Sequence, residues 1–133
     1  MEDNSKLGYE NLVVWQRAIE WSCSIINISE DLKTERKHYR LIEQLESAST
    51  SVAMNIAEGK GRYSKKEFVQ YLFIARGSLY ETVTLLEIFN KQKWLDTSIF
   101  IKIKYEAIEI AKMLNSLIKA IKSTKQSSIS HEP

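Results

Sequence analysis

The apolar positions of this chain repeat at spacings of three and four residues in four successive segments. This spacing places side chains on one face of a helix. The predicted helices cover about residues 12–32 and 39–58, and helix three begins at Lys65. Helix four follows a cap at Asp96, Thr97 or Ser98. A β-branched run at 12–15 is typical of a strand, but it continues into the helical repeat, so we assign it to helix one.

The last two helices carry unbroken heptad seams, with apolar spacings that alternate between four and three. The seam of helix three is Phe68, Leu72, Ala75, Leu79, Thr82, Leu86 and Phe89. The seam of helix four is Phe100, Ile103, Ala107, Ile110, Leu114, Leu117 and Ile121. Gly77 and Ser78 interrupt helix three at a cost of about 1 kcal/mol, which predicts a close helix crossing there.

The first two helices carry broader patterns. The main apolar face of helix one is Trp15, Ala18, Ile19, Ser22, Ile25, Ile26, Ser29 and Leu32, with a second stripe at Val14, Trp21 and Ile28. Two stripes predict burial on two sides. Helix two combines an apolar face with small residues at 47–53, which lets a neighbouring helix approach closely.

The turn between helices two and three combines glycines with positive charge. Gly59 is predicted to end helix two in the left-handed conformation, and Ser64 with Glu67 forms a capping box that starts helix three at Lys65. Asn55 is expected to hydrogen-bond the backbone near the helix end. The predicted structural residues of this turn are Asn55, Glu58, Gly59, Gly61, Ser64 and Glu67.

Four amphipathic helices with short connections predict an all-α, single-domain, antiparallel up-down-up-down four-helix bundle at residues 12–122. The chain has 133 residues, four glycines and one proline, which suits one largely helical domain. Residues 1–11 and 123–133 are expected to be flexible. The surplus of apolar positions on helices one and three predicts self-association, and wide core faces are the alternative.

The sequence shows no secretory signal and no apolar run long enough for a membrane helix. A single cysteine, Cys23, excludes an internal disulfide and suits a reducing compartment. We expect a cytoplasmic protein without a membrane contact. Cys23 is expected to be a small buried or half-buried apolar residue of helix one. Nucleophilic catalysis is not expected, since no histidine lies within local reach.

No constellation in the sequence predicts catalysis, a metal or a cofactor. Glu35 and His38 match half of a di-iron Glu-x-x-His site, but the second copy is absent, because the only other histidine is His131. The Gly59-x-Gly61 pair lacks the spacing of a phosphate-binding loop. We therefore predict a protein that is not an enzyme.

The basic turn is the candidate binding surface. The net charge is only +2, but acidic residues predominate in the first 31 positions and basic residues at the junctions. RNA or DNA would meet Lys60, Arg62, Tyr63, Lys65, Lys66 and Arg76. A tyrosine among cations can stack on a base. The alternatives are a solvated turn, in which Arg62 pairs with Glu58, and a surface for a protein partner.

Four sequence blocks resemble a bacterial family of four-helix-bundle proteins. They are Val13–Ala18, Ser51–Gly59, Gly61–Arg62 with Ser64–Phe68, and Ile74–Glu81. The family includes proteins encoded by intervening sequences within large-subunit ribosomal RNA genes. The accessory protein of diversity-generating retroelements is a more distant relative.

The resemblance covers residues 12–122 and implies a ring-shaped homopentamer of antiparallel bundles, with a poorly established function. Its retroelement relatives are implicated in binding nucleic acid and a reverse transcriptase. This chain departs from the family at two places. Ala53 replaces a common proline, and Glu46–Ser47 replaces a common pair of arginines, which removes positive charge from helix two.

Overall fold

A computed structural model describes residues 6–35 and 38–129, with side chains as far as Thr124. A 3₁₀ turn at Gly8–Asn11 precedes four long helices. These are α1 (Val13–Glu30), α2 (Tyr39–Lys60), α3 (Lys65–Lys91) and α4 (Thr97–Ile129). The described residues contain no strand, and the predicted all-α class is confirmed.

The four helices form an antiparallel bundle, as predicted. Each helix packs against its neighbours in the chain, and α1 also packs against α4. Short connectors make successive helices run in opposite directions. Two buried hydrogen bonds tie α1 to its partners: the Ser22 hydroxyl donates to the Ser49 carbonyl at 2.8 Å, and the Trp21 indole N–H donates to the Ile103 carbonyl at 3.2 Å.

The two heptad seams line the core between the helices. On α3 the seam from Leu72 to Phe89 is buried throughout, while Phe68 is partly buried. On α4 the seam is buried from Phe100 to Leu114, and beyond it Ile118 is buried while Leu117 and Ile121 are partly exposed. The seam prediction is confirmed for α3 and, as far as Leu114, for α4, because strict periodicity identifies the face that meets the neighbours. Beyond Leu114 the buried position is Ile118 and not the predicted Leu117.

The predicted main face of α1 was partly wrong. Val14 and Trp21 belong to the core, whereas Ile19 lies at the surface. The reason is that α1 packs against both α2 and α4, so the centre of the core falls between its two apolar stripes. Residues from both stripes are buried for this reason: Val14 and Trp21 from one, Ala18 and Ile25 from the other.

The predicted end of α2 was also wrong. The helix continues through Gly59 to Lys60, and the described glycines have no positive φ angle. Gly61 is the C-cap, at φ −81°. A Cβ atom on Gly59 would lie 2.6 Å from the Tyr71 Cβ atom and 3.0 Å from Phe68 Cδ1. Gly59 therefore serves close packing of α3 on α2, not chain reversal.

The expected close crossing at Gly77–Ser78 involves only the serine. A Cβ atom on Gly77 would meet nothing within 4 Å, and Gly77 is exposed. The Ser78 hydroxyl lies 2.9 Å from the Ser51 hydroxyl of α2. The small-residue stretch on α2 thus meets α3 at Ser78, while Gly77 faces outward.

The helical region differs from the predicted range of 12–122. The 3₁₀ turn at Gly8–Asn11 packs on α1 and α2, and α4 extends to Ile129. The predicted flexibility of residues 1–11 and 123–133 stays a prediction.

Candidate nucleic-acid interface

The turn between α2 and α3 is short and held by local hydrogen bonds. The Arg62 backbone N–H donates to the Gly59 carbonyl at 3.1 Å. The Ser64 hydroxyl accepts from the Glu67 backbone N–H and donates to the Glu67 carboxylate, both at 3.1 Å. These two bonds fix the first turn of α3. The residues between, 61–63, project from the end of the bundle.

Arg62 is engaged by its own neighbours. Its guanidinium donates to the Glu58 carboxylate and to the Tyr71 hydroxyl, and it lies 4.7 Å from the centre of the Tyr71 ring. The pair between Arg62 and Glu58, which was the alternative expectation for this turn, is present in the structure. Much of the positive charge of Arg62 is therefore neutralised locally, and the side chain braces the turn against α3.

The other residues of the turn present a charged and aromatic tip. The Tyr63 side chain is fully exposed, and Lys60 and Lys66 are exposed beside it in the chain. Lys60 lies 5.9 Å from the centre of the Phe68 ring. Lys65 is half-buried and takes part in a further interaction. The tip thus combines two surface cations with an unobstructed aromatic ring.

Arg76 does not belong to this tip. It follows Lys65 by eleven positions, about 16 Å along the helix. Its guanidinium donates to the Asn115 side-chain carbonyl on α4 at 2.8 Å and lies 4.8 Å from the centre of the Phe73 ring. The predicted six-residue set is therefore divided between the turn and a groove between α3 and α4.

That groove contains cations which the sequence analysis did not single out. We call it the α3–α4 groove and define it by Phe73, Arg76, Tyr80, Asn115, Lys119 and Lys122. Lys122 lies 5.1 Å from the centre of the Phe73 ring. The excess of lysine at 102–125 was the available signal. Only the register between α3 and α4 places Lys119 and Lys122 opposite Arg76.

Two polar residues of α2 have structural partners. The Asn55 side-chain N–H donates to the carbonyl and the hydroxyl of Ser51, each at 2.8 Å. Glu46 accepts a hydrogen bond from the Ser29 hydroxyl of α1 at 2.9 Å. Glu46, one of the two residues that replace the arginine pair, therefore faces α1, while Ser47 is exposed.

Other chemistries find no support in the part of the chain that the structure describes. No group of three or more His, Cys, Asp or Glu residues there could hold a metal ion. His38 stacks on Trp94, with ring centres 4.4 Å apart. Cys23 is exposed, which corrects the expectation of burial, since it lies on the outer face of α1. Within the described ranges no helix is both long and apolar enough to cross a membrane.

The fold and the surface define an all-α four-helix-bundle protein with basic residues concentrated at one end of α3. The chain belongs to the 23S rRNA-intervening sequence protein family, whose model matches residues 10–116. This confirms the family suggested by the sequence blocks. The likeness to the accessory protein of diversity-generating retroelements stays a prediction.

A solved structure supports the same assignment. It is a protein of unknown function from the S23 ribosomal protein family of Bacteroides thetaiotaomicron. The two chains share 28% identity and a TM-score of 0.74 over 80% of this chain and 98% of the other. No curated protein matches this chain.

Proposed function

We propose that the protein is a non-enzymatic, homo-oligomeric accessory protein that binds RNA or DNA through the turn between α2 and α3. The observation that carries this proposal is the fully exposed Tyr63 ring between surface lysines. Lysines attract phosphates, and an exposed aromatic ring offers a stacking face to any base. A purely structural turn has no need for an unburied tyrosine.

Lys66 is the best residue for testing this surface. It is exposed, and no carboxylate among the described residues pairs with it. Arg62 is less suitable, because its replacement also breaks the contacts with Glu58 and Tyr71. We expect Lys66→Glu to weaken RNA binding at low salt at least about fivefold, since one favourable phosphate contact becomes repulsive.

The measurement is fluorescence anisotropy with a labelled RNA oligonucleotide. Lys91→Glu is the matched control, because Lys91 is an exposed lysine at the opposite end of α3. The proposal requires that the control bind like the unaltered protein. Absence of binding by the unaltered protein at low salt would refute it.

Homo-oligomerisation is the second part of the proposal. Its support is a set of large apolar side chains on the outer surfaces of α3 and α4. They include Ile74, Ile88, Ile101 and Tyr105, all more than 40% exposed. Apolar patches of this kind are typical of interfaces between proteins. The same observation also favours the alternative function, an oligomeric scaffold that binds a protein partner without nucleic acid.

Native mass spectrometry tests the oligomeric state. The expected pentamer has a mass of about 77 kDa, five times the 15.4 kDa of one chain in a closed ring. We further expect Ile101→Asp to shift the mass towards the monomer, because it places a charge in an apolar contact. A monomer for the unaltered chain at micromolar concentration would contradict this part of the proposal.

A further inference from the structure

The α3–α4 groove continues the basic surface of the turn along the side of the bundle. Lys66, Phe73 and Tyr80 are separated by seven residues, so they lie in one row on α3. This row extends about 21 Å from the turn. Lys119 and Lys122 of α4 lie beside it and are exposed. A polyanion bound at the turn therefore meets further cations along the groove.

The groove has the charge of a phosphate-binding surface. A cavity of about 480 Å³ lies at Arg76, Lys119 and Lys122, and among the residues that the structure describes no acidic side chain lines it. Arg76 uses one of its five N–H donors on Asn115, which leaves others for a ligand. Lys119 pairs with no carboxylate within the described residues. Three cations without an acidic neighbour in the cavity complement an extended chain of phosphates.

The aromatic residues of the groove give a reason for a single strand. Phe73 holds Arg76 and Lys122 near its ring, at 4.8 and 5.1 Å from the ring centre. It positions the cations and offers little stacking surface. Tyr80 is 51% exposed, and Arg76 is 5.9 Å from its ring centre. An exposed tyrosine can stack on an unpaired base, whereas bases in a duplex already stack on one another.

A second cavity extends the groove beyond Tyr80. Its volume is about 300 Å³, and Tyr80, Val83 and Ile108 contribute to its apolar walls. Lys104 lies at its edge. No acidic residue from the described part of the chain lines this cavity either. An apolar pocket next to Tyr80 and flanked by a lysine suits a base with its phosphate, so the surface continues past Tyr80 with aliphatic walls and one further cation.

We propose that the α3–α4 groove binds single-stranded nucleic acid, with Arg76, Lys119 and Lys122 on phosphates and Tyr80 stacked on a base. This inference rests on the proposed function and names the ligand class. The charge of the groove favours nucleic acid over an apolar protein partner, because an apolar protein surface would leave three cations buried without counter-charges.

The test compares labelled oligouridine, oligothymidine and duplex RNA of the same length by fluorescence anisotropy. We expect the single strands to bind more tightly than the duplex. Lys119→Glu/Lys122→Glu should weaken single-strand binding at least about tenfold, because two phosphate contacts become repulsive. Lys91→Glu/Lys102→Glu is the control, because it changes the net charge by the same amount at positions outside the groove. Lys102 lies on the opposite side of α4 from Lys104.

Tyr80→Ala separates stacking from charge. We expect it to weaken single-strand binding at least about fivefold, the low end of base–aromatic stacking. The salt dependence should not change, because no cation is removed. Circular dichroism checks that the helices of each variant are intact.

The outcomes distinguish this inference from the proposed function. If Lys66→Glu loses affinity but the groove double variant binds like its control, the groove inference fails and the turn alone is the site. If the unaltered protein binds the duplex but no single strand at low salt, the groove inference fails and the proposed function stands. If it binds neither, both fail. If native mass spectrometry shows that the groove double variant has a different number of subunits, the groove is a contact between copies. That result also overturns the inference.

Discussion

At the scale of single residues, several members of the turn between α2 and α3 serve packing more than binding. Arg62 joins Glu58 to Tyr71 across the helix pair. Gly59 lets the backbone of α2 approach the Tyr71 Cβ atom, which a larger residue would meet at 2.6 Å. Lys60, Tyr63 and Lys66 are exposed side chains of the turn that could meet a ligand. A conspicuous motif can therefore mix structural and ligand-facing residues at neighbouring positions.

The two helical glycines provide a matched test of this distinction. Gly59→Ala should lower the free energy of unfolding by about 1–2 kcal/mol, because overpacking at the Tyr71 Cβ atom exceeds the gain in helix propensity. Gly77→Ala should raise it by about 0.8–1 kcal/mol, since nothing lies within 4 Å of the new methyl group and alanine is the better helix former. Urea unfolding measures both. Stabilisation by both substitutions would contradict the packing role of Gly59.

At the scale of helices, the apolar repeat predicted the features that depend on a single helix. The seams of α3 and α4 were predictable because each helix presents one face to its neighbours. The boundary of α2 was not, because Gly59 has a tertiary role that local glycine statistics do not contain. The core position of Trp21 depends on the simultaneous packing of α1 against α2 and α4, which the sequence pattern showed only as two competing stripes.

The candidate site shows the same difference between features that are local in sequence and features that depend on helix packing. The turn could be predicted because its cations lie within seven consecutive positions, from Lys60 to Lys66. The α3–α4 groove could not, because Arg76 and Lys122 meet only through the register of two antiparallel helices. The sequence grouped Arg76 with the residues of the turn, whereas it lies in the α3–α4 groove. Its partners across the groove could be found only from the three-dimensional arrangement.

At the scale of the whole molecule, charge is distributed unevenly around the bundle. In α1, Glu20 and Glu30 outnumber Arg17. The contacts between helices place α1 diagonally opposite α3, so the acidic helix is the one farthest from Lys66 and Arg76. A bound polyanion would therefore approach the α3 side. In a ring of identical copies this side would repeat, and avidity would strengthen a weak individual contact.

The central claim is that this surface binds the phosphate backbone of a nucleic acid. The salt dependence of binding tests it most directly, because each phosphate neutralised on a single strand contributes about −0.7 to the slope of log affinity against log salt concentration. Engagement of Lys66, Arg76, Lys119 and Lys122 predicts a slope of about −3 or steeper for oligouridine. A slope near zero, or no binding at the lowest salt concentration, would contradict the account.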